Sequence, residues 1–425
     1  MGGKQTPPPL VKLAILSLVV GAMTGLVAAA FRIALEHGDR WRNALIERMH
    51  YSTIGGFLLV VVVTTLAASA ASWLVQRFCR HASGSGIPHV EAVVNGELPP
   101  ANFWLLPVKF VGGWLAISAG LALGREGPTV QMGASIGHLV GRLTRRSWED
   151  VRVLMAAGAG AGLAAAFNAP LAGAVFVLEE LVRRFETRLA IAALGASGGA
   201  ILVARLLIGD EPDFVVAPIA GLHLHQGTMV VLRQATMVLL LGVMAGLAGV
   251  AYNRSVLLAL KIADRLPART AVVGASIGIV AWFAPGWVGG GDALTQRALN
   301  GGEALALVLG VFALRFVLGP ASYAVGTPGG LFAPMLVLGA QLGLMCGGST
   351  EFAIVGMAAF FTAVVRAPVT GIVLVSEMTG NTSLLVALTA SSFAAMAVAT
   401  VLRSPPVYDS LKQQTMDASR RGLIR

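Results

Sequence analysis

The chain has 425 residues, of which 56% are hydrophobic and only 12% are charged. Soluble domains carry about 25% charged residues, so this composition excludes a soluble enzyme or a soluble nucleic-acid-binding protein. It predicts a protein that crosses a lipid bilayer several times. The net charge of +10 then reflects membrane topology, because Lys and Arg accumulate in cytoplasmic segments, and both termini are expected in the cytoplasm.

Uncharged apolar stretches of about 20 residues, the length that spans a bilayer, recur along the chain. Membrane spans are predicted over residues 13–31, 51–76, 153–178, 234–253, 270–291, 316–350 and 378–402. Residues 36–50, which follow the first span, are charged and compatible with a helix, and they are expected to lie at the membrane interface. The two cysteines have no metal-site spacing and predict no disulfide framework.

A polar segment containing Pro and Gly divides these spans into two groups. The predicted organisation is an N-terminal cytoplasmic tail over 1–9, a first membrane repeat over 10–208, a linker over 209–227, a second repeat over 228–402 and a short C-terminal cytoplasmic tail over 403–425.

The two groups of spans repeat one sequence pattern. The spacing G-x3-P-x4-G-x3-G-x3-G begins at Gly124 and again at Gly330. The spacing A-P-x2-G-x5-E begins at Ala169 and again at Ala367. Small residues at every fourth position are common in membrane helices, but several blocks in the same order indicate a duplication. Hydrophobic segments interrupted by Gly and Pro at matching places predict broken helices that meet near the membrane midplane.

Such helix starts predict an anion site. A helix that begins inside the membrane has unpaired N–H groups and a partial positive charge at its first turn, and such ends bind anions. Pro128 and Pro334 suit the first turn of a helix. For both starts to converge on one site, the two repeats should be inverted. The predicted substrate is a small anion, and no cofactor is expected.

Glu126 is a carboxylate between two uncharged apolar runs. An ionisable residue at that depth is costly and indicates a functional site. The alternative is a loop glutamate at the membrane surface beside Arg125. The repeat favours the buried position, because Glu126 occupies the same place as Phe332 in the second copy.

The chain resembles the CLC family of chloride channels and transporters. The resemblance rests on Gly84-Ser85-Gly86-Ile87-Pro88, on Gly124-Arg125-Glu126-Gly127-Pro128, on Gly330-Leu331-Phe332-Ala333-Pro334 and on Tyr408 in the tail. One departure is His89, where family members often have an acid.

The resemblance implies an all-helical membrane protein of two inverted repeats, which forms a homodimer with one pore per subunit in the bacterial inner membrane. It implies that chloride is bound by the hydroxyls of Ser85 and Tyr408 and by backbone N–H groups of Leu331 and Phe332. The N–H of Gly127 would face an outer site. Glu126 would be the gate and the external proton acceptor.

A second titratable group is needed if anion movement is coupled to protons, and Glu179 and Glu180 are candidates. Glu179 has a counterpart, Glu377, in the other repeat, whereas Glu180 aligns with Met378. The unmatched Glu180 therefore suits an asymmetric task, and the resemblance places the internal proton acceptor there. The alternative is a surface glutamate paired with Arg183 or Arg184.

Exchange of chloride for protons is the preferred interpretation, and several others remain. A passive chloride channel of the same fold is one, and an exchanger that prefers fluoride or nitrate is another. Ser135, with His138 nearby, resembles a nucleophile motif, but helix packing explains it better because G-A-S-I-G recurs at residues 274–278 without His. His223 and His225 could bind a metal, although a solvated loop is favoured and no metal is expected.

Overall fold

The computed structural model of the protein describes residues 10–217 and 228–420, and its regular elements there are helices. Six of these helices are long and apolar enough to cross a membrane. In the described part of the chain, isolated backbone bridges join Gly84 to Pro328 and Gly124 to Gly330. The protein is an all-α polytopic membrane protein, as its composition predicts.

The first repeat contains eight helices. They are α1 (Leu10–Met49), α2 (Thr53–Phe78), α3 (Ile87–Val94), α4 (Leu105–Ser118), α5 (Glu126–Leu143), α6 (Trp148–Phe167), α7 (Pro170–Phe176) and α8 (Thr187–Ile208). The second repeat follows the same order. Its helices are α9 (Thr228–Ala263), α10 (Arg269–Phe283), α11 (Asp292–Asn300), α12 (Leu305–Ala324), α13 (Phe332–Gly347), α14 (Thr350–Val365), α15 (Pro368–Thr379) and α16 (Leu385–Val401), before α17 (Val407–Arg420) in the tail.

The first helix is longer than the sequence predicts. The charged residues 36–49, expected to be helical, continue α1 beyond the predicted span without a break. Its charges pair along the helix surface: Arg32 lies 3.2 Å from Glu36, and Arg42 lies 2.7 Å from Asp39. Pairs at i+3 and i+4 stabilise an exposed helix, so α1 extends past the apolar span instead of ending there.

The two repeats are inverted. The N–H of Gly124 donates to the carbonyl of Gly330, and the N–H of Gly330 donates back to the carbonyl of Gly124, each at 2.8 Å. These glycines begin the same motif in the two repeats, and reciprocal bonding between equivalent residues is the pattern of an antiparallel pair. A local twofold axis therefore passes between the starts of α5 and α13.

A second reciprocal contact joins α7 to α15. The carboxylate of Glu179, in the π-helical turn that continues α7, accepts the N–H of Thr370 at 2.6 Å and its hydroxyl at 2.7 Å, in the first turn of α15. The carboxylate of Glu377, at the end of α15, accepts the N–H of Ala172 at 2.8 Å in the first turn of α7. Each glutamate satisfies donors that a helix start leaves unpaired, which supports a structural role for both.

Small residues bring the remaining helices close together. A Cβ at Gly133 would collide with the backbone carbonyl of Gly158 on α6, and Gly278 approaches α2 equally closely. The hydroxyl of Ser135 donates to the Gln131 carbonyl of its own helix at 3.0 Å. The two G-A-S-I-G segments are therefore helix-packing surfaces, and the nucleophile interpretation of Ser135 has no support.

Candidate anion and proton sites

Glu126 is the first residue of α5 and is fully buried. Its carboxylate oxygen Oε1 accepts the backbone N–H of Phe332 at 2.7 Å and lies 3.4 Å from the N–H of Ala333. These donors form the first turn of α13, where the N–H groups have no partner within the helix. The carboxylate therefore occupies the position at which the sequence predicts an anion.

Two features make this position suitable for a negative charge. The first turn of α13 supplies partial positive charge as well as N–H donors. Gly124 and Gly330 leave the space for the carboxylate, because a Cβ at either position would collide with the Glu126 side chain. The second oxygen, Oε2, is buried and has no hydrogen-bond partner among residues 10–217 and 228–420, so the described residues leave part of the acceptor capacity of the carboxylate unused.

The loop that carries Ser85 lies against the start of α5. Gly86 precedes α3 with φ +83°, a conformation that a side chain disfavours, and the Ser85 hydroxyl accepts the N–H of Ile87 at 3.1 Å. The ammonium of Lys109 is buried in α4 and donates to the carbonyl of Gly84 at 2.7 Å. Ser85 is therefore held by its own loop and by a buried cation.

Arg315 has the equivalent role in the second repeat. It is buried in α12 and donates to the carbonyls of Gly289 at 2.7 Å and Gly290 at 2.9 Å. Both Arg315 and Lys109 are thus structural cations that bind loop carbonyls. Both side chains are fully buried, and within the described residues neither forms an ion pair with an acid.

Tyr408 enters the same region from α17. Its side chain is fully buried, and its ring centroid lies 5.7 Å from that of Phe332. The Tyr408 hydroxyl makes no well-formed hydrogen bond among the described residues, and it faces the Ser85 hydroxyl. A buried hydroxyl without a partner is costly, and an anion could accept its proton.

Gly127 and Leu331 complete the set of residues predicted from the sequence. A Cβ at Gly127 would lie 2.8 Å from the Cα of Ser85, so glycine allows the Ser85 loop to pack against α5. Leu331 is fully buried and immediately precedes α13. The donors to the Glu126 carboxylate come from Phe332 and Ala333, and the N–H of Phe332 is also one of the chloride donors named from the resemblance. The fold brings all the predicted anion-site residues together.

Glu180 lies apart from this group, in a π-helical segment (Val177–Leu181) that continues α7. Its side chain is only 4% exposed, and the guanidinium of Arg183 lies 3.5 Å from its carboxylate. It lines a cavity of about 440 Å³ together with Arg183, Arg184 and Arg366. Glu180 therefore combines the two alternatives, because it is buried and also has the arginine partner expected of a surface residue.

Phe332 connects the two glutamates. Its N–H contacts the Glu126 carboxylate, and its ring lies 6.0 Å from that of Phe176 on α7. Phe176 precedes Glu180 by four residues, about one helical turn. The wall between the two carboxylates therefore includes aromatic rings, which cannot relay protons, so a proton would need water molecules to pass between them.

The sequence analysis missed the contacts that hold the start of α5 from outside. Arg125 bonds Asp213 of the linker at 2.8 Å and Asp292 of α11 at 2.9 Å, and its Nε donates to the Ala166 carbonyl at 2.9 Å. A lone aspartate in a polar linker carries no sequence signal for a partner 88 positions away.

No cluster of three or more potential metal ligands occurs within residues 10–217 and 228–420. His223 and His225, which were considered for metal binding, lie outside the described residues.

Comparison with known proteins defines the family. The family model described as voltage gated chloride channel matches residues 65–400, which is most of the chain. The chain belongs to this family, the CLC family. It is 36% identical to the H(+)/Cl(-) exchange transporter ClcA of Vibrio cholerae, over 94% of this chain and 89% of that protein. It is also 36% identical to the ClcA of Salmonella typhimurium, over 94% and 88%.

Solved CLC structures share the fold. A slow cyanobacterial Cl⁻/H⁺ antiporter matches with a TM-score of 0.90 and 32% identity, over 97% of this chain and 99% of the other. A CLC-type fluoride/proton antiporter matches with a TM-score of 0.78, over 94% and 98%, but at 22% identity, so that likeness concerns the fold alone. The all-helical architecture predicted from the sequence is confirmed.

Proposed function

We propose that this protein exchanges chloride for protons across the membrane. The observation that carries the proposal is the Glu126 carboxylate bound to the Phe332 N–H at the meeting point of the two repeats. A titratable group in an anion position makes anion binding and proton binding mutually dependent, because two negative charges resist sharing one poorly solvated site. The ClcA relatives, at 36% identity, are named as H(+)/Cl(-) exchangers.

In the proposed cycle Glu126 is both gate and external proton acceptor. When it is charged, its carboxylate holds the N–H donors of α13 and excludes chloride. When it is protonated, it loses the charge that favours this position, and chloride takes the donors. Chloride would be bound by the hydroxyls of Ser85 and Tyr408 and by N–H groups at Leu331 and Phe332, with Gly127 at an outer position.

Glu180 is proposed as the internal proton acceptor. Its burial and its place on the wall of a cavity support exchange of protons with one side of the membrane. The neighbouring Glu179 is occupied as a helix cap, which leaves Glu180 as the available carboxylate. A proton leaving Glu126 would reach Glu180 through water beside Phe332 and Phe176.

Ion flux measurements in liposomes test this function. A chloride gradient should drive protons uphill in vesicles that contain the unaltered protein, and Glu180→Val should move chloride without protons. A passive channel would instead give a reversal potential set by chloride alone. Uphill proton movement by the Glu180→Val protein would show that another group accepts the internal proton.

Anion preference is tested in the same vesicles. Ser85 and Tyr408 favour chloride over fluoride, since the fluoride-selective branch of the family usually departs at these places. Nitrate is the nearer competitor. Reversal potentials are measured with chloride on one side and nitrate or fluoride on the other. Their sign should show that the protein carries chloride in preference to either competing anion.

We further propose a homodimer with one pore per subunit, in the bacterial inner membrane with both termini in the cytoplasm. The family membership supports the dimer, and the charge distribution supports the orientation. Light scattering of detergent-solubilised protein should give the mass of two chains.

A further inference from the structure

We infer that Asp409 of α17 positions the internal proton acceptor Glu180 through Arg183, so that the helix carrying the anion-site Tyr408 also sets the geometry of the inner proton site. The inference rests on the proposed function, because it assigns a partner to the proton site of that exchange. Asp409 is a positioning residue, since it contacts neither the anion site nor Glu180 directly.

The contact is a two-pronged ion pair. The guanidinium of Arg183 bonds the two carboxylate oxygens of Asp409 at 2.6 and 3.3 Å. The same guanidinium nitrogen that makes the shorter bond lies 3.5 Å from the Glu180 carboxylate. Asp409 is thus the nearer partner, and it draws the arginine away from Glu180. Paired N–H···O bonds of this kind fix the plane as well as the position of a guanidinium.

The backbone around Arg183 also points to a specific arrangement. Arg183 has φ +56°, a conformation uncommon for residues other than glycine. Its Nε donates to the Glu180 carbonyl at 3.3 Å. The turn after the π-helical segment therefore folds the arginine back over Glu180, within reach of α17.

The other end of the link is the anion site. Asp409 directly follows Tyr408, which is buried against Phe332. A movement of α17 that shifts the Tyr408 ring must also shift the Asp409 carboxylate, and with it Arg183. Opening of the anion site towards α17 and loosening of the charge beside Glu180 are therefore one movement.

Other charges face this group and set the direction of the effect. Glu91 of α3 is buried nearby, and Lys412 of α17 bonds it at 3.2 Å and bonds Glu97 at 2.7 Å. The Arg183 guanidinium beside Glu180 carries the opposite charge to its carboxylate, whereas the carboxylates of Glu91 and Asp409 carry the same charge. If Asp409 loses its charge, Arg183 keeps Glu180 as its remaining carboxylate partner and should hold it in the charged form.

The test compares Asp409→Asn with a matched change on the same helix, Asp417→Asn, where the aspartate is exposed. Chloride-driven proton uptake and chloride efflux are measured in the same liposomes. We expect proton uptake per chloride to fall roughly fivefold in Asp409→Asn, the scale of an ion pair near a protein surface, and to stay unchanged in Asp417→Asn. Asp409→Glu should restore most of the ratio.

Two further variants distinguish positioning of Arg183 by Asp409 from a general contribution of Asp409 to the packing of α17. Lys412→Met removes the ion pairs of α17 with Glu91 and Glu97 but leaves Asp409 and Arg183 in place, so it should lower thermal stability without lowering the proton-to-chloride ratio as Asp409→Asn does. In an Arg183→Gln background, Asp409→Asn should have no additional effect on the ratio, because the arginine that transmits it is gone.

The possible failures are distinguishable. If the unaltered protein moves no protons, the proposed exchange itself is wrong. If the unaltered protein exchanges but Asp409→Asn keeps its ratio, the positioning role is wrong. Equal effects of Lys412→Met and Asp409→Asn on the ratio, or additive effects of Asp409→Asn and Arg183→Gln, would also overturn it.

Discussion

At the scale of single residues, the proposed exchange depends on one carboxylate whose charge is disfavoured by one part of its surroundings and favoured by another. Glu126 is surrounded by apolar helices, which disfavour its charge, and is bonded at the start of α13, which favours it. With such a balance, protonation of Glu126 or binding of an anion would determine whether the carboxylate or chloride occupies the site. The glycines at 124 and 330 maintain that balance by leaving room for the carboxylate.

Glu126→Gln should separate the two fluxes. The amide is uncharged, so the carboxylate no longer competes with chloride, and it cannot carry a proton. We expect chloride efflux to persist, to lose its dependence on external pH, and to move no protons. Liposome flux between about pH 3.5 and 7.5, a range that includes the ordinary glutamate pKa of about 4.3, measures this. Glu47→Gln, at an exposed position of α1, is the control, and pH-dependent flux in Glu126→Gln would contradict the gate assignment.

Lys109→Met should weaken the anion site by releasing the Ser85 loop. The change shortens the side chain by only one atom but removes its charge, and it leaves buried carbonyls of the loop without their donor, each costing about 1–3 kcal/mol. We expect a lower melting temperature and at least a severalfold weaker chloride affinity by titration calorimetry. Lys261→Met, at an exposed position of α9, should change neither. Unaltered chloride affinity in Lys109→Met would mean that the loop does not need the cation.

At the scale of elements, the fold is fastened where equivalent parts of the two repeats meet. Gly124 and Gly330 bond reciprocally at the axis, and Glu179 and Glu377 cap each other's helices. Helices α5 and α13 begin at the candidate anion site, and α7 leads from near it to Glu180. The bonds between the repeats therefore set the geometry of the proposed anion path and the proposed proton path.

Glu377→Gln should lower stability without uncoupling transport. The amide can still accept from the start of α7 but loses the charge that interacts with the helix dipole, a loss of about 0.3–1 kcal/mol. We expect a melting temperature a few degrees lower in detergent and an unchanged proton-to-chloride ratio in liposomes. A changed ratio would assign Glu377 a role in proton movement that its capping contacts do not suggest.

The repeat and the broken helices were predictable at this scale because their signals are local. Gly and Pro at fixed spacing mark helix starts wherever they occur. The length of α1 was not predictable, because a charged segment reads as an end to a span whether or not the helix continues into water. Ion pairs such as that of Arg32 with Glu36 contribute to the stability of the helix beyond the apolar span.

At the scale of the whole molecule, the ion pairs around α17 gather cationic side chains at one end of the helical bundle. Arg183 pairs with Asp409, and Lys412 with Glu97, so these cations share the end of the molecule that holds α17. Helix α8 begins near Arg183 and has 22 residues, so it is about 33 Å long. The linker that follows it therefore lies at the opposite end of the molecule.

Cysteine labelling should show that the α17 end faces the cytoplasm. In a background with Cys79→Ser and Cys346→Ser, the only native cysteines, Arg184→Cys should react with a membrane-impermeant maleimide in inside-out vesicles only. Asp210→Cys, at an exposed site after α8, should react in right-side-out vesicles only, because Lys and Arg are retained on the cytoplasmic side. The reverse pattern would invert the proposed topology and the directions of both ion paths.

The sequence by itself determined the membrane class, the duplication, the helix starts and the buried glutamate, because composition and Gly/Pro spacing act through neighbouring residues. It also separated Glu180 from Glu179, since only Glu179 has a counterpart. The tertiary structure decided which groups meet: the Glu126 carboxylate on the Phe332 N–H, the buried cations on the loop carbonyls, Asp213 on Arg125 and Asp409 on Arg183. These contacts join residues far apart in the chain, and their geometry exists only once the helices have packed.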